Sequence, residues 1–373
     1  MLIFLQQLIN GITTGTLFAL IAIGYTMVYG IIELINFAHG DLFMLGSFLA
    51  LTVVSAMGLA TATTPPGFGI LVLISVPFFI LGYSFPPRPL QTRVGNRQWL
   101  AGGITGLVCA VAFTSILALG IRLLKAPTQG EPGTFHMVLS VLFTFLVCMT
   151  FCGAMNFAQD RIIYRPLRNA PKLTPLVSAI GVSFVFMGLG QIWKGVADIN
   201  FPDVIPNKNL LGGEGLRFTA KDLLVIFVTV PLMAALTFFV RFTKLGKAMR
   251  ATAQNPTAAR LMGIDVDRVI GATFAIGGLL AGAASVIYGL TINTVSFQMG
   301  YQNGLYAFTA AVLGGIGNLP GAMLGGVVIG LVRSLGSQYV GEQWTSALVF
   351  AILIVLLVFR PQGLLGARTR EKV

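Results

Sequence analysis

The sequence predicts an all-α polytopic membrane protein with about ten transmembrane helices. Of its 373 residues, 55% are hydrophobic and 10% are charged, whereas a soluble domain usually carries about 25% charged residues. Residues 269–332 and 42–87 contain no Lys, Arg, Asp or Glu. Each run exceeds the roughly 20 apolar residues that span a bilayer. A soluble fold is therefore excluded. Nucleic-acid binding is not expected, despite a net charge of +12.

The apolar segments are continuous, which predicts helical spans rather than the short alternating strands of a membrane β-barrel. No basic residue precedes Arg88, so the N-terminus is predicted to be a first span and not a cleavable signal peptide. The predicted spans lie near 5–30, 40–58, 68–84, 101–121, 137–157, 174–194, 222–241, 268–290 and 344–360, with a glycine-rich stretch at 303–335.

The charges of the loops predict which of them face the cytoplasm, because cytoplasmic loops are enriched in Lys and Arg. Loops 85–100, 158–173 and 241–268 are strongly basic, as is the C-terminal tail. These are predicted to lie inside. Loop 195–221 has balanced charges and loop 291–302 has none, so both are predicted to lie outside.

This sidedness requires the stretch 303–335 to contribute either two crossings or none. The stretch is short for two full spans, and residues 317–321 (Gly-Asn-Leu-Pro-Gly) interrupt it. We therefore expect a re-entrant or broken-helix hairpin of two half-helices, with two short tilted spans packed through glycine as the alternative. Irregular backbone at membrane depth is stable only where protein or a water-filled cavity covers it. The hairpin is thus a candidate lining for a transport pathway.

The sequence offers no catalytic centre, metal site or cofactor site. Glu33, His39 and Asp41 cluster between the first two spans, where charges at helix ends are ordinarily just hydrated. His39 and Asp41 do not make a metal site without further ligands, and the chain has only two histidines. The single Gly-Lys pair, at 246–247, is followed by alanine, so the phosphate-binding motif of ATPases is missing. If ATP drives this protein, another polypeptide binds it.

A short helix is predicted between Asn255 and Gly263 in the basic loop 241–268. Asn255 suits the N-cap, and Pro256 and Gly263 suit the first turn and the left-handed position after the last turn. Two turns of helix are marginal alone in water, so we expect this helix to pack against another surface. Leu261 and Met262 would enter a groove on a partner. The alternative is a connector that lies on its own bundle.

Several segments of the chain match the motifs of one known protein family. They are GYTMVYGII at 24–32, NFAHGD at 36–41, YRPLR at 164–168, MGI at 262–264, DRVI at 267–270, AFTAAVLGGIGNLPGA at 307–322 and FRPQG at 359–363. With these segments the chain resembles the branched-chain amino acid ABC transporter permeases of the LivH type. The resemblance covers residues 1–58 and 137–366, about three quarters of the chain, and the segments agree in order.

The resemblance implies a permease subunit of an importer in the bacterial inner membrane, with its C-terminus in the cytoplasm. Its partners would be a second related permease, two cytoplasmic ATP-binding subunits and a periplasmic amino-acid-binding protein, which would meet loops 195–221 and 291–302. The helix seated in the ATPase would comprise Asn255, Pro256, Ala258, Ala259, Leu261, Met262 and Gly263. The candidates for the translocation pathway are Asn36, His39, Asp41, Gly314, Gly317, Asn318 and Gly321.

One region departs from this family. The predicted spans 68–84 and 101–121 are an additional pair, so we expect a single permease domain at 1–366, with an insertion at about 60–136, followed by a cytoplasmic tail at 367–373. The sequence specifies neither the role of the insertion nor which amino acid is carried. The alternative functions are a permease for urea or short amides, and a standalone channel or secondary carrier that works without an ATPase.

Overall fold

The computed structural model describes residues 1–59, 68–85, 98–125, 133–168, 170–171, 173–205, 207, 209–211, 215–360 and 362–366. In these ranges the chain is a bundle of helices. The first five are α1 (Leu2–Ile32), α2 (Ala38–Ala56), α3 (Phe68–Ser84), α4 (Gln98–Leu123) and α5 (Thr134–Gln159). A π-helical turn, Asp160–Tyr164, and a short helical segment, Arg165–Leu167, continue α5.

The remaining helices are α6 (Leu173–Lys194), α7 (Ala220–Phe242), α8 (Lys244–Gln254), α9 (Pro256–Leu261), α10 (Val266–Ile292), α11 (Met299–Gly314), α12 (Leu319–Tyr339) and α13 (Glu342–Phe359). Two short strands, β1 (Ile199–Asn200) and β2 (Thr294–Val295), pair antiparallel. Nine helices among the described ranges are long and apolar enough to cross a membrane. The predicted all-α polytopic membrane fold is confirmed.

Helix α2 lies at the centre of the bundle. Its residues from Ala38 to Val54 are all buried, and α5, α6, α10 and α11 surround it. This agrees with its sequence, which is apolar on nearly every face, because such helices belong in a protein interior. The peripheral helices instead expose large apolar side chains such as Leu107, Phe184 and Phe227, as a lipid-facing surface requires.

The loops separate into two ends of the bundle in the way that their charges predict. At one end, which we call the outer end, the Gln6 side chain near the start of α1 donates to the carbonyl of Arg217 in loop 195–221. At the opposite, inner end, Arg165 of loop 158–173 pairs with Asp267 of loop 241–268. The grouping of loops agrees with the predicted sidedness, and the side of the membrane on which each group lies stays a prediction.

Helices α1 and α12 pack antiparallel through glycine. The backbone of Gly330 meets that of Gly15, and Gly326 meets the backbone of Ala19. Farther toward the outer end, the Ser334 hydroxyl donates to the carbonyl of Gln7 at 2.9 Å. Small residues let helix backbones approach this closely. Helix α12 therefore follows α1 over most of its length and crosses the bundle with it.

The hairpin predicted at 303–335 is present as a broken helix pair, α11 and α12. The turn between α11 and α12 contains Gly315 and Gly317, whose φ angles are 105° and 87°, a region that glycine adopts at no steric cost. This turn packs beside Gly30, near the inner end of α1, and not at mid-depth. Helix α12 runs alongside α1 and is long and apolar enough to span a membrane, whereas α11 has only 16 residues. The re-entrant path and the alternative of two short spans both stay predictions.

Helices α3 and α4 form a pair at the edge of the bundle. They pack mainly on each other and on α5, with the rings of Phe78 and Phe113 stacked at 3.6 Å. This peripheral position is compatible with an insertion, which stays a prediction, as does the single domain at 1–366. The centre of the basic loop at 86–97, the connection at 126–132 and the tail at 367–373 lie outside the described residues.

Candidate functional site

The short helix predicted in loop 241–268 forms as α9. The side-chain oxygen of Asn255 accepts the backbone N–H groups of Thr257 and Ala258, both at 3.0 Å, which satisfies two of the amide groups that a helix start leaves unpaired. Gly263 ends the segment with a φ of 82°. Leu261 and Met262 are 85% and 82% exposed. The N-cap, the first-turn proline and the terminal glycine are all placed as predicted.

One face of α9 packs on the bundle. Ala259 is 4% exposed and belongs to a buried apolar cluster at the inner end, which we call the inner cluster. Ala258 on the opposite face is exposed. Helix α9 therefore rests on its own bundle and also presents apolar side chains to solvent. Their insertion into a groove on a partner stays a prediction. The members of the inner cluster are Val28, Tyr164, Ala179, Ala259, Val266, Ile270 and Phe274, with Ile31, Ile32, Phe37 and Ile264 packed against it.

A group of ion pairs lies beside the inner cluster. Nη2 of Arg165 is 3.0 Å from Oδ2 of Asp267. Arg168 pairs with Asp267 as well, and its Nη2 is 2.6 Å from Oδ1 of Asp160. Asp160 is buried. The arginines belong to the YRPLR segment and Asp267 to the start of α10, so these pairs join loop 158–173 to the loop that carries α9.

A buried hydrogen-bonded cluster surrounds Asn36, just before α2. The hydroxyl of Tyr164 and the amide of Gln159 both donate to the side-chain oxygen of Asn36, each at 2.9 Å. The Asn36 amide donates to Asn156 at 3.3 Å, and Asn156 in turn donates to the carbonyl of Phe274 at 2.7 Å. Asn36 is therefore held inside the bundle, and its place in the translocation pathway stays a prediction.

His39 and Asp41 lie in the first turn of α2, and each is 1% exposed. The Ser183 hydroxyl donates to one carboxylate oxygen of Asp41. The other oxygen of Asp41 and both ring nitrogens of His39 have no hydrogen-bond partner among the described residues. Unpaired buried polar groups cost free energy, and ionisable groups inside a membrane are usually functional. These two side chains are the strongest candidates for contact with a passing solute.

The four pathway candidates in the broken hairpin fall into two classes. Gly314 and Gly321 pack directly on each other, so that a methyl group at either would overlap the backbone of the other. Gly317 and Asn318 line an open cleft of about 940 Å³ at the inner end, together with residues of α1, α7 and α8. The structure thus places the α2 turn, the glycine contact and the inner cleft at three separate positions.

The sequence analysis missed Arg333, a cation inside α12. Its guanidinium carbon lies 5.6 Å from the centroid of the Phe18 ring and 5.1 Å from that of Tyr306. Phe18 is near the middle of α1, so this charge sits far from either end of the bundle. Arg333 follows directly after the uncharged run 269–332, and this lone charge within a predicted helical stretch is the signal that points to it.

At the outer end, one lysine ties the two predicted outside loops together. The ammonium group of Lys221 donates to Asp203 at 2.7 Å and to the side-chain oxygen of Asn293 at 3.1 Å. The Asn293 amide also donates to Asp203 at 2.7 Å. The hydrogen bond from Lys221, followed by its charge, holds the pKa of the Asp203 carboxyl below its usual value. This contact fixes loops 195–221 and 291–302 relative to each other.

Residues 7–358 match the family model described as branched-chain amino acid transport system / permease component. The chain belongs to this family. Over its full length it is 32% identical to the high-affinity branched-chain amino acid transport system permease protein LivH of Salmonella typhimurium, of which it covers 98%. It is 33% identical, over 99% of its length, to the corresponding protein BraD of Pseudomonas aeruginosa, of which it covers 98%. No solved structure matches it.

The permease also has relatives at lower identity. Over 96% of its length it is 25% identical to a probable branched-chain amino acid transport permease protein LivH of Methanocaldococcus jannaschii. Over 77% of its length it is 26% identical to the fructose import permease protein FrcC of Rhizobium meliloti. The resemblance stated from the motifs is confirmed. The permease is a multi-pass inner-membrane component of an ABC transport system, which works with an ATPase, and it is not an enzyme.

Proposed function

We propose that the permease carries branched-chain amino acids into the cell as one of two related permease subunits. Two cytoplasmic ATP-binding subunits drive it, and a periplasmic amino-acid-binding protein supplies the solute at the outer end. The inner end, with the C-terminus, faces the cytoplasm. The observation that carries this proposal is the match over the full length of the chain to permeases of branched-chain amino acid transport systems.

Helix α9 is the coupling helix in this proposal. Two adjacent large apolar side chains, Leu261 and Met262, are almost fully exposed at the end of the bundle that carries the basic loops. Burial of such side chains in a groove on a partner lowers the free energy of the complex and so favours binding. Ala259 packs in the permease's own inner cluster, so in this proposal it joins the coupling helix to the bundle.

The first turn of α2 meets the solute in this proposal. The unpartnered oxygen of Asp41 is suited to accept hydrogen bonds from the ammonium group of an amino acid, since carboxylate and ammonium make strong charge-assisted bonds. Close packing of Gly40 against Gly300 and Gly304 now covers this site. ATP-driven movement would have to part α2 from α11 to admit a solute. The inner cleft, which includes Arg241 and Arg250, would be its exit.

The proposal is tested by uptake into vesicles that contain the permease with its ATP-binding subunits and binding protein. ATP-dependent uptake of leucine, isoleucine and valine is expected, and uptake of urea in their place would overturn the cargo. Asp41→Asn preserves the size of the side chain and is expected to lower uptake at least tenfold. Glu342→Gln, at an exposed carboxylate on α13, is the matched control. Unchanged uptake by Asp41→Asn would remove Asp41 from the pathway.

A further inference from the structure

A continuous series of contacts joins the coupling helix to the turn that carries His39 and Asp41. We propose that residues 159–168 form a second coupling route, in which Tyr164 is the positioning residue that transmits movement of α9 to α2. This inference rests on the proposed function, because it assumes that an ATPase moves α9.

The route starts where α9 rests on the bundle. Ala259 and Tyr164 belong to the same inner cluster, against which Phe37, the residue before α2, also packs. The Tyr164 ring contacts Phe274 of α10, with ring centroids 5.3 Å apart. Because buried clusters are close-packed and transmit strain, a displacement of α9 should reach Tyr164 through the inner cluster.

Ion pairs also join residues 159–168 to the chain that follows α9. Asp267 lies four residues after Gly263, the end of the α9 loop, and it holds both Arg165 and Arg168. Arg168 also holds Asp160, and both of these side chains are largely shielded from water. Pairs shielded in this way are screened less by salt than exposed ones. The loop that carries α9 and the segment 159–168 should therefore move as one unit.

The route ends at Asn36. Two donors, the hydroxyl of Tyr164 and the amide of Gln159, converge on one oxygen of this side chain, and all three groups are buried. The backbone carbonyl of Asn36 accepts the N–H of His39 at 3.1 Å. A displacement of the Asn36 side chain should therefore also move the first turn of α2, which contains Asp41.

The backbone between the two halves of the route is π-helical at Asp160–Tyr164. A π turn inside an α-helix is rare and frequently marks a functional site. Here it lets one short segment direct Asp160 toward Arg168 and Tyr164 toward Asn36. The π turn is an observation independent of the hydrogen bonds, and it begins at Asp160 and ends at Tyr164, the two residues of the turn that make the contacts of the route.

Tyr164→Phe tests the route, because the ring and its packing stay and only the hydroxyl bonded to Asn36 is lost. The matched control is Tyr288→Phe, since the Tyr288 ring packs on Phe43 at 5.3 Å and its hydroxyl makes no hydrogen bond among the described residues. The measured quantity is the amount of leucine transported per ATP hydrolysed in vesicles with all partners present. Thermal unfolding of each variant is recorded alongside.

We expect Tyr164→Phe to lower this ratio at least fivefold while ATP hydrolysis and the unfolding temperature stay near those of the wild type. Tyr288→Phe should keep the wild-type ratio. Arg168→Lys retains the charge but loses the planar fork that holds two carboxylates, so it should lower the ratio as well. Wild-type ratios in both Tyr164→Phe and Arg168→Lys would overturn the route alone. Absence of ATP-driven uptake by the wild type would overturn the proposed function with it.

Discussion

The exposed end of α9 allows the loss of ATPase binding to be calculated for Leu261→Ala. Leu261 is 85% exposed in the permease, and in our account a groove of the ATP-binding subunit buries it. The substitution removes three carbon atoms. At about 0.8 kcal/mol for each buried CH₂, the substitution weakens binding of the ATP-binding subunit by about 2.4 kcal/mol. Since 1.4 kcal/mol corresponds to a factor of ten, the dissociation constant should rise roughly 50-fold.

The assay is titration of purified ATP-binding subunits onto the permease in lipid nanodiscs. Leu211→Ala is the matched control, because Leu211 is 55% exposed but lies in the outer loop 195–221. Neither substitution should change the unfolding temperature of the permease alone, since surface changes of this kind stay within about 0.5 kcal/mol. A dissociation constant for Leu261→Ala within twofold of the wild type would refute the assignment of α9.

Two further predictions concern the packing and the outer loops. Gly330→Ala places a methyl group against the backbone of Gly15. Because such overpacking costs about 1–3 kcal/mol, the unfolding temperature should fall by several degrees. Gly103→Ala, with open space around it, is the control and should not lower the unfolding temperature. Equal unfolding temperatures for the two variants would contradict the α1–α12 contact. Lys221→Met should raise the pKa of Asp203 toward its usual value of about 3.9. Because Lys221 lowers that pKa in the folded protein, the stabilisation is present above the usual carboxyl pKa and is lost as pH falls below it. Acid should therefore destabilise the wild type more than Lys221→Met in pH-dependent unfolding, and parallel curves would contradict this.

Local signals were sufficient to predict α9. Its N-cap, its first-turn proline and its terminal glycine act within nine residues, and each satisfies a requirement of the helix ends themselves. The composition likewise predicted spans, because the bilayer imposes their length and polarity directly. Features that depend on one segment at a time were therefore predicted correctly.

The features that the sequence could not specify depend on distant pairing. The break between α11 and α12 was predicted from residues 317–321, but its depth in the bundle is set by contacts with α1, such as the one between Gly317 and Gly30. The bond between Tyr164 and Asn36 joins residues 128 positions apart, and no periodicity brings these side chains together. The distinction between Ala259, which faces the bundle, and Leu261, which faces solvent, also required the packed structure.

The central claim is that this permease transports solute only when an ATPase moves it. The most direct measurement is leucine uptake by vesicles that contain the purified chain alone, compared with vesicles that also contain the second permease, the ATP-binding subunits, the binding protein and ATP. Our account predicts uptake in the complete system, and none with the chain alone or without ATP. Uptake by the chain alone would contradict it and identify a standalone channel or carrier.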